Sequence, residues 1–268
     1  MRVTAAIALN VFRESVRDRV FYNLVLFALL MTASSYLIGQ LTAGQDVKII
    51  KDLGLAATSM FGLFIAVFIG IGLVSKEVER RSIYSLIAKP VSRTQLVVGK
   101  YCGLAFTLAA NMAVMAVALY AVLAYSSWGA SPDARAAWDA PALDPALLKA
   151  LVLIFAELLV VTALALFFST FSSPMLSAAL TVGLYIVGHF SVDLRNFQQV
   201  LDSPAPVALA RGLYWVLPNL AQFDVKGDIV HGVRVPAGYM AMAGAYAALY
   251  IAMLLAIASL IFSRRDFK

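Results

Sequence analysis

Long apolar runs constrain this chain more than any other feature of its sequence. An apolar segment of about 20 residues can cross the hydrocarbon core of a bilayer as an α-helix. The chain is 62% hydrophobic and 13% charged, whereas soluble globular domains carry about 25% charged residues. These features predict an all-α integral membrane protein with six transmembrane helices and exclude a soluble domain. The six apolar windows are residues 20–41, 53–74, 103–125, 147–168, 174–192 and 237–262.

The placement of Lys and Arg predicts which end of each span faces the cytoplasm, because cytoplasmic loops carry the positive excess. If the N-terminus is inside, the inner segments hold 13 Lys or Arg and five Asp or Glu, whereas the outer segments hold eight and nine. We therefore expect both termini in the cytoplasm. The net charge of +6 then reflects topology and contact with anionic membrane lipids. A nucleic-acid partner is not expected, since a basic, aromatic-laced surface is absent.

Residues 1–19 predict an amphipathic helix that lies on the inner membrane surface before the first span. At helical spacing, polar side chains fall on one side and apolar side chains on the other. The alternative is a solvated cytoplasmic helix that packs on a partner. The polar side comprises Asn10, Arg13, Glu14, Arg17 and Asp18, and the apolar side comprises Ala5, Ala8, Leu9, Phe12 and Val16.

A charged stretch, residues 75–93, separates the second and third apolar windows. Residues 75–88 predict a short cytoplasmic helix, which Pro90 ends because proline disfavours helical geometry at the residue before it. Charge alone favours two interpretations about equally: a docking surface for a partner, or a basic loop that satisfies the topology rule. The charged residues are Lys76, Glu77, Glu79, Arg80, Arg81, Lys89 and Arg93.

This stretch resembles the corresponding part of permease subunits of the ABC-2 type transporter family. The family pattern has a Glu, then Gly-Thr, a Leu-Leu pair, a Pro-Val-Ser-Arg run, and a Gly-Lys that opens the third span. Order and spacing both fit, although Arg81 stands where the family usually has Gly. The matching residues are Glu77, Ser82, Leu86-Ile87, Pro90-Val91-Ser92-Arg93 and Gly99-Lys100.

The resemblance implies a fold and a division of labour between subunits. The implied fold is one transmembrane domain, residues 1–268, with an interfacial helix, six spans, and re-entrant outer helices between spans five and six. Two permease copies, as a homodimer or paralogous heterodimer, would pair with ATP-binding subunits that hold ATP and Mg²⁺ and drive transport, most often export, across the bacterial inner membrane. The charged stretch would then be a coupling helix that passes force from the ATPase to the spans.

The outer segment between the last two spans, residues 193–236, contains a second apolar stretch at residues 206–223. Arg211, Gly212 and Pro218 interrupt this stretch, so it does not read as a normal span. It fits short helices that rest in the outer interface, where Tyr and Trp side chains are favoured.

Glu157 places a formal charge deep inside the fourth predicted span. An intramembrane carboxylate is costly, so it normally faces a cavity, a subunit interface or a hydrogen-bonding neighbour. Glu157 is therefore a candidate residue of the transport pathway or of an interface. The alternative is a structural hydrogen bond to another span, through Thr162, Thr181 or Asn111.

Small residues at helical spacing predict two places where helices approach closely. The first is Gly99 with Gly103 at the start of the third span. The second lies in the last span. Either set could pack within one subunit or between two copies. The small residues of the last span are Gly238, Ala241, Gly244, Ala245 and Ala248.

The sequence contains no Gly-x4-Gly-Lys-[Ser/Thr] loop, no His-Glu-x-x-His motif and no Cys/His cluster. Its two histidines, His189 and His231, are isolated and are assigned no role. The single Cys102 excludes an intramolecular disulfide. We therefore expect no catalytic residue, cofactor or metal site in this chain. The main alternative function is a secondary transporter or channel, which predicts an inverted repeat and several buried ionisable residues.

Overall fold

The computed structural model describes residues 2–41, 46–79, 92–136, 138, 140–190, 212 and 217–264, without the side chains of residues 2, 73–79 and 264. Most of these residues are helical, and they include no β-strand. A short 3₁₀ helix occurs at Ala221–Phe223. The α-helices are α1 (Arg2–Val16), α2 (Arg19–Gln40), α3 (Asp46–Glu79), α4 (Arg93–Gly129), α5 (Pro132–Ala136), α6 (Ala146–Ser169), α7 (Pro174–His189), α8 (Lys226–Val230) and α9 (Ala237–Arg264).

Five helices in the described part of the chain are long and apolar enough to cross a membrane, namely α2, α3, α4, α6 and α9. They overlap five of the six predicted spans, which confirms a membrane protein built from several spanning helices. The fifth predicted span, residues 174–192, corresponds to α7, which is apolar but only 16 residues long. At 1.5 Å per residue α7 measures about 24 Å, which is shorter than a hydrocarbon core of about 30 Å.

Several helices begin with a side chain that caps the free backbone N–H groups of the first turn. Asp18 starts α2 by accepting a hydrogen bond from the Val20 N–H at 2.9 Å. Ser173 starts α7 by accepting from the Leu176 N–H at 3.4 Å, and Pro174 follows at the first helical position. Both arrangements are favoured at helix N-termini. Short polar links therefore separate the long apolar helices.

Helix α6 lies at the centre of the bundle and contacts α3, α4, α7 and α9. Its side chains are buried around most of its circumference, including Ile154 and Leu158, which are fully buried. A helix that is apolar all round is typical of a bundle centre. By contrast, α2 and α9 lie at the periphery and expose large side chains such as Phe27, Met242 and Leu249. These surfaces suit contact with lipid.

The terms inner and outer follow the orientation that the distribution of Lys and Arg predicts. The outer end of α3 is covered by the segment that follows α5. Lys51 Nζ donates to the Pro141 carbonyl at 2.8 Å, and Trp138 Nε1 donates to Asp46 Oδ1 at 3.2 Å. Lys51 was expected in a short outer loop, but α3 begins at Asp46, so Lys51 lies within the helix and is buried. The outer segments therefore pack as an ordered cap on the bundle.

The segment before α9 also packs into the outer half of the bundle. The Leu220 N–H donates to the Gly188 carbonyl at 3.0 Å, directly at the end of α7. Leu220, Phe223 and Ile229 are fully buried, and α8 contacts both α3 and α6. This segment thus continues the packing beyond the short α7. Residues 206–211 and 213–216 of the predicted apolar stretch lie outside the described residues.

Candidate functional site

The inner end of α3 leads into the predicted coupling segment. Helix α3 continues without a break to Glu79, so the first residues of that segment belong to the same helix as the second span. Lys76, Glu77 and Glu79 occupy its last turn, but their side chains are not described. Arg80, Arg81 and Lys89 lie outside the described residues. The docking role of these six residues therefore stays a prediction.

The last two residues of the Pro-Val-Ser-Arg run are described, and both have structural partners. Ser92 caps α4 in a capping box: its Oγ accepts from the Gln95 N–H, and the Gln95 Oε1 accepts from the Ser92 N–H, both at 3.3 Å. Such a reciprocal pair fixes the first turn of a helix. Helix α4 therefore starts at a defined residue, directly after the predicted coupling segment.

Arg93 joins the start of α4 to the end of α9. Its Nη1 donates to the Phe262 carbonyl at 2.7 Å and to the Ser263 carbonyl at 3.3 Å. The last carbonyls of a helix lack partners within that helix, and a cation is favoured there because of the helix dipole. The sequence interpretation assigned Arg93 to contact with an ATPase, and it missed this contact with α9.

Helix α1 packs on the same inner end of α4, at the two glycines of the Gly-x3-Gly pattern. A Cβ at Gly103 would lie 2.6 Å from the Ala8 carbonyl oxygen, and one at Gly99 would lie 2.8 Å from Ile7 Cγ2. Only glycine allows this approach without a shift of α1. Gly99 and Gly103 therefore serve packing within the subunit, which resolves the alternative left open by the sequence. The small residues of α9 are exposed in the single subunit.

The predicted apolar side of α1 divides into two parts. Ala8 and Val11 are buried against α4 and Ser15 is also buried, whereas Ala5 and Leu9 are exposed. The packed face is therefore rotated from the predicted apolar side, because the two glycines of α4 accept small and β-branched side chains. The predicted polar residues Asn10, Arg13, Glu14 and Arg17 are exposed, as expected.

A buried carboxylate–imidazole pair lies between α6 and α7. The Glu157 side chain is 1% exposed, and its Oε1 lies 3.1 Å from His189 Nε2. No well-aligned hydrogen bond reaches either carboxylate oxygen from the described residues. The Tyr185 phenol lies beside Glu157 and beside Ser59 of α3. The pair thus sits where three helices meet.

The partner of Glu157 differs from those considered in the sequence. Thr162 donates to the Leu158 carbonyl and Thr181 to the Ser177 carbonyl, each within its own helix. Asn111 is fully buried, and its amide makes no hydrogen bond within the described part of the chain. His189, which was assigned no role, is the residue that faces Glu157. Glu157 lies 12 residues before the end of α6 and His189 lies 15 residues after the start of α7, and this register of the hairpin could have revealed the pairing.

Two lysines of the spanning helices, Lys149 and Lys51, lie near the helix ends that are predicted to face outward. Lys149 lies in the first turn of α6, and its Nζ donates to the Val235 carbonyl at 2.8 Å. Lys51 in α3 is buried beside Pro141. Both reach carbonyl groups of the outer cap, which distinguishes them from Glu157 in the middle of α6.

Comparison with known protein families identified a match over nearly the whole chain. The profile of the family described as "ABC-2 family transporter protein" matches residues 5–267, which is nearly the whole chain. A search of curated proteins found no match to this chain. Proteins of this family are transmembrane components of ABC transporters and are generally not catalytic themselves. On this match, together with its bundle of long apolar helices, the chain belongs to the ABC-2 transporter family.

Proposed function

We propose that this chain is the permease subunit of a bacterial inner-membrane ABC exporter, and that separate subunits bind and hydrolyse ATP with Mg²⁺. Family membership supports this proposal, as does the absence of a phosphate-binding loop from the sequence. In this proposal α7 belongs to the fifth of six spans, and the outer segment between α7 and α9 holds the re-entrant helices. The apolar side of α1, with Ala5 and Leu9 exposed and Phe12 and Val16 half-buried, rests on the inner membrane surface.

The observation that carries the proposal is the clustering of helix ends beside the predicted coupling segment. Residues 80–91 are flanked by the end of α3 and the capped start of α4. Arg93 bonds α4 to the end of α9, and Gly99 and Gly103 seat α1 on α4. A force applied to this segment would therefore reach four helices through direct contacts. Such contiguous packing is what coupling to a soluble motor requires.

We further propose that a second copy of the chain completes the transporter. The small residues of α9 are exposed in the single subunit, and a Cβ at Gly238 or Gly244 would meet no atom within 4 Å. Small residues allow two helix backbones to approach closely in a membrane. Since Gly99 and Gly103 are already used within the subunit, the small residues of α9 are the predicted set that remains available for contact between copies.

The docking role of the charged segment is tested by reversing two of its charges. The double substitution Glu79→Lys with Arg80→Glu, in a chain co-expressed with its ATP-binding subunit, should reduce co-purification of that subunit at least tenfold. Removing one partner of a buried charge pair at an interface costs about 2–5 kcal/mol. The matched control is Asp133→Lys with Arg135→Glu, which reverses two exposed charges of α5. Equal recovery of the ATPase from both variants would refute the docking role.

The proposed orientation places the start of α4 in the cytoplasm and α5 outside. In a Cys102→Ala background, Thr94→Cys should be protected from an impermeant thiol reagent in intact cells, and Ser131→Cys should be labelled. Both positions lie outside the bundle core, at opposite ends of α4. Labelling is measured before and after cell lysis, because lysis shows whether the cysteine of the Thr94→Cys variant reacts once the reagent can reach it. The reverse pattern would invert the topology and move the docking face outside.

A further inference from the structure

The hydrogen-bonding pattern of His189 restricts where its proton can be. His189 Nδ1 lies 3.0 Å from the Tyr185 carbonyl oxygen. A carbonyl can only accept, so Nδ1 carries a hydrogen. In a neutral imidazole the other nitrogen, Nε2, is then an acceptor. Nε2 faces Glu157 Oε1 at 3.1 Å, so two acceptors would oppose each other unless a proton lies between them.

We propose that Glu157 and His189 form a proton-binding site that holds one exchangeable proton, carried on Nε2 against the ionised carboxylate. This goes beyond the proposed transport function and does not depend on it. The ligand is a proton taken from or returned to water, and no redox partner takes part. His189 ends α7, where the helix dipole favours a cation. In this structure the pair is therefore a protonated His189 and an ionised Glu157.

The surroundings of the pair supply little other charge. On α7 the neighbouring titratable group is Tyr185, and in the outer segment it is Asp224, whose negative charge adds to that of Glu157. Helix α3 contributes the Ser59 hydroxyl. Asp224 is itself paired with Lys226 Nζ at 3.5 Å. Within the described residues, His189 is thus the cation closest to the Glu157 carboxylate.

The two side chains differ in exposure, which indicates the side chain through which the proton exchanges. The His189 side chain is 23% exposed, whereas that of Glu157 is 1% exposed. Exchange therefore proceeds through the imidazole, at the outer-facing end of α7. Loss of the proton leaves a buried carboxylate without a cation, which is costly. Binding of one proton at this site thus stabilises the contact between α6 and α7.

The chain offers a direct test because it has only two histidines. With His231→Gln in the background, ¹⁵N-histidine NMR of the full chain in nanodiscs reports His189 alone. At pH 7 we expect both ring nitrogens to be protonated. Adding Glu157→Gln should move the ¹⁵N signal of Nε2 to the range of an unprotonated ring nitrogen, since the amide can donate to Nε2. The signal of Nδ1 should stay that of a protonated nitrogen. The same protonation state of the ring before and after Glu157→Gln would overturn the site.

A second variant tests the carboxylate without relying on Glu157→Gln alone. In His189→Gln the cation is lost, so the buried Glu157 should take up the proton itself. Infrared spectroscopy of the full chain should then show a protonated carboxyl C=O band at pH 7. That band should be absent from the wild type and from Glu157→Gln with His189→Gln. A His189→Gln spectrum identical to that of the double variant would overturn the proposal.

Discussion

Replacing His189 with Ala is expected to cost roughly 3–5 kcal/mol of stability at neutral pH, because removing one partner of a buried pair leaves an uncompensated charge. The charge in question is Glu157, which is 1% exposed in the middle of α6. Its carboxyl can escape the penalty only by binding a proton. Thermal unfolding of the full chain in detergent measures the effect.

His231→Ala is the matched control for this prediction. His231 follows the last residue of α8 and is exposed, and its Nδ1 lies 2.8 Å from the carbonyl of Gly227 near the start of that helix. Surface substitutions of this kind usually change stability by less than about 0.5 kcal/mol. Identical unfolding of the two variants from acidic to alkaline pH would show that the Glu157–His189 contact contributes nothing to the fold.

The second large effect concerns Arg93. Arg93→Gln should loosen the inner end of α9, because it removes the cation that bonds the Phe262 and Ser263 carbonyls. Hydrogen bonds to charged groups contribute about 1.5–3 kcal/mol, which corresponds to roughly 10-fold to 150-fold faster local opening. Hydrogen exchange measured by mass spectrometry should therefore accelerate in the last turns of α9. The outer end of α9 should keep its wild-type rate.

Two further variants separate the contact from the charge. Arg93→Lys keeps the charge but replaces the guanidinium with an ammonium group that donates from a single nitrogen. We therefore expect a rate of exchange between those of the wild type and Arg93→Gln. Arg135→Gln removes an exposed Arg of α5 whose Nη2 lies 3.5 Å from the Trp128 carbonyl, and it should leave α9 unchanged. If exchange at the inner end of α9 is the same in the Arg93→Gln variant as in the wild type, α4 and α9 are not coupled through Arg93.

The spanning helices could be predicted from the sequence because their length and apolarity follow from the thickness of the bilayer. The windows underestimated α3 and α4, which extend to Asp46, Glu79 and Arg93. Polar residues continue a helix beyond the hydrocarbon core when caps and neighbouring segments satisfy them, and a hydropathy window stops before they begin. For α7 the window overestimated the helix that the structure describes.

The side-chain contacts could not be predicted in the same way, because they depend on how helices distant in sequence are placed. Arg93 contacts Phe262, and Lys51 contacts the Pro141 carbonyl. Neither contact has a local signal. Glu157 was identified from its burial cost alone, but its partner His189 requires the register of the α6–α7 hairpin. Composition thus predicts the fold class, whereas the side-chain contacts of the site can be identified only from the three-dimensional arrangement of the helices.

The central claim is that this chain works as a transmembrane subunit driven by a separate ATPase. The most direct measurement is purification of the tagged wild-type chain from its native membranes, followed by identification and quantification of every protein that accompanies it. The account predicts a subunit with a Gly-x4-Gly-Lys-[Ser/Thr] loop, one for each copy of this chain, and ATP hydrolysis by the purified complex. Recovery of the chain without such a subunit, in a preparation that still moves its substrate across a vesicle membrane, would contradict the account and favour a secondary transporter or channel.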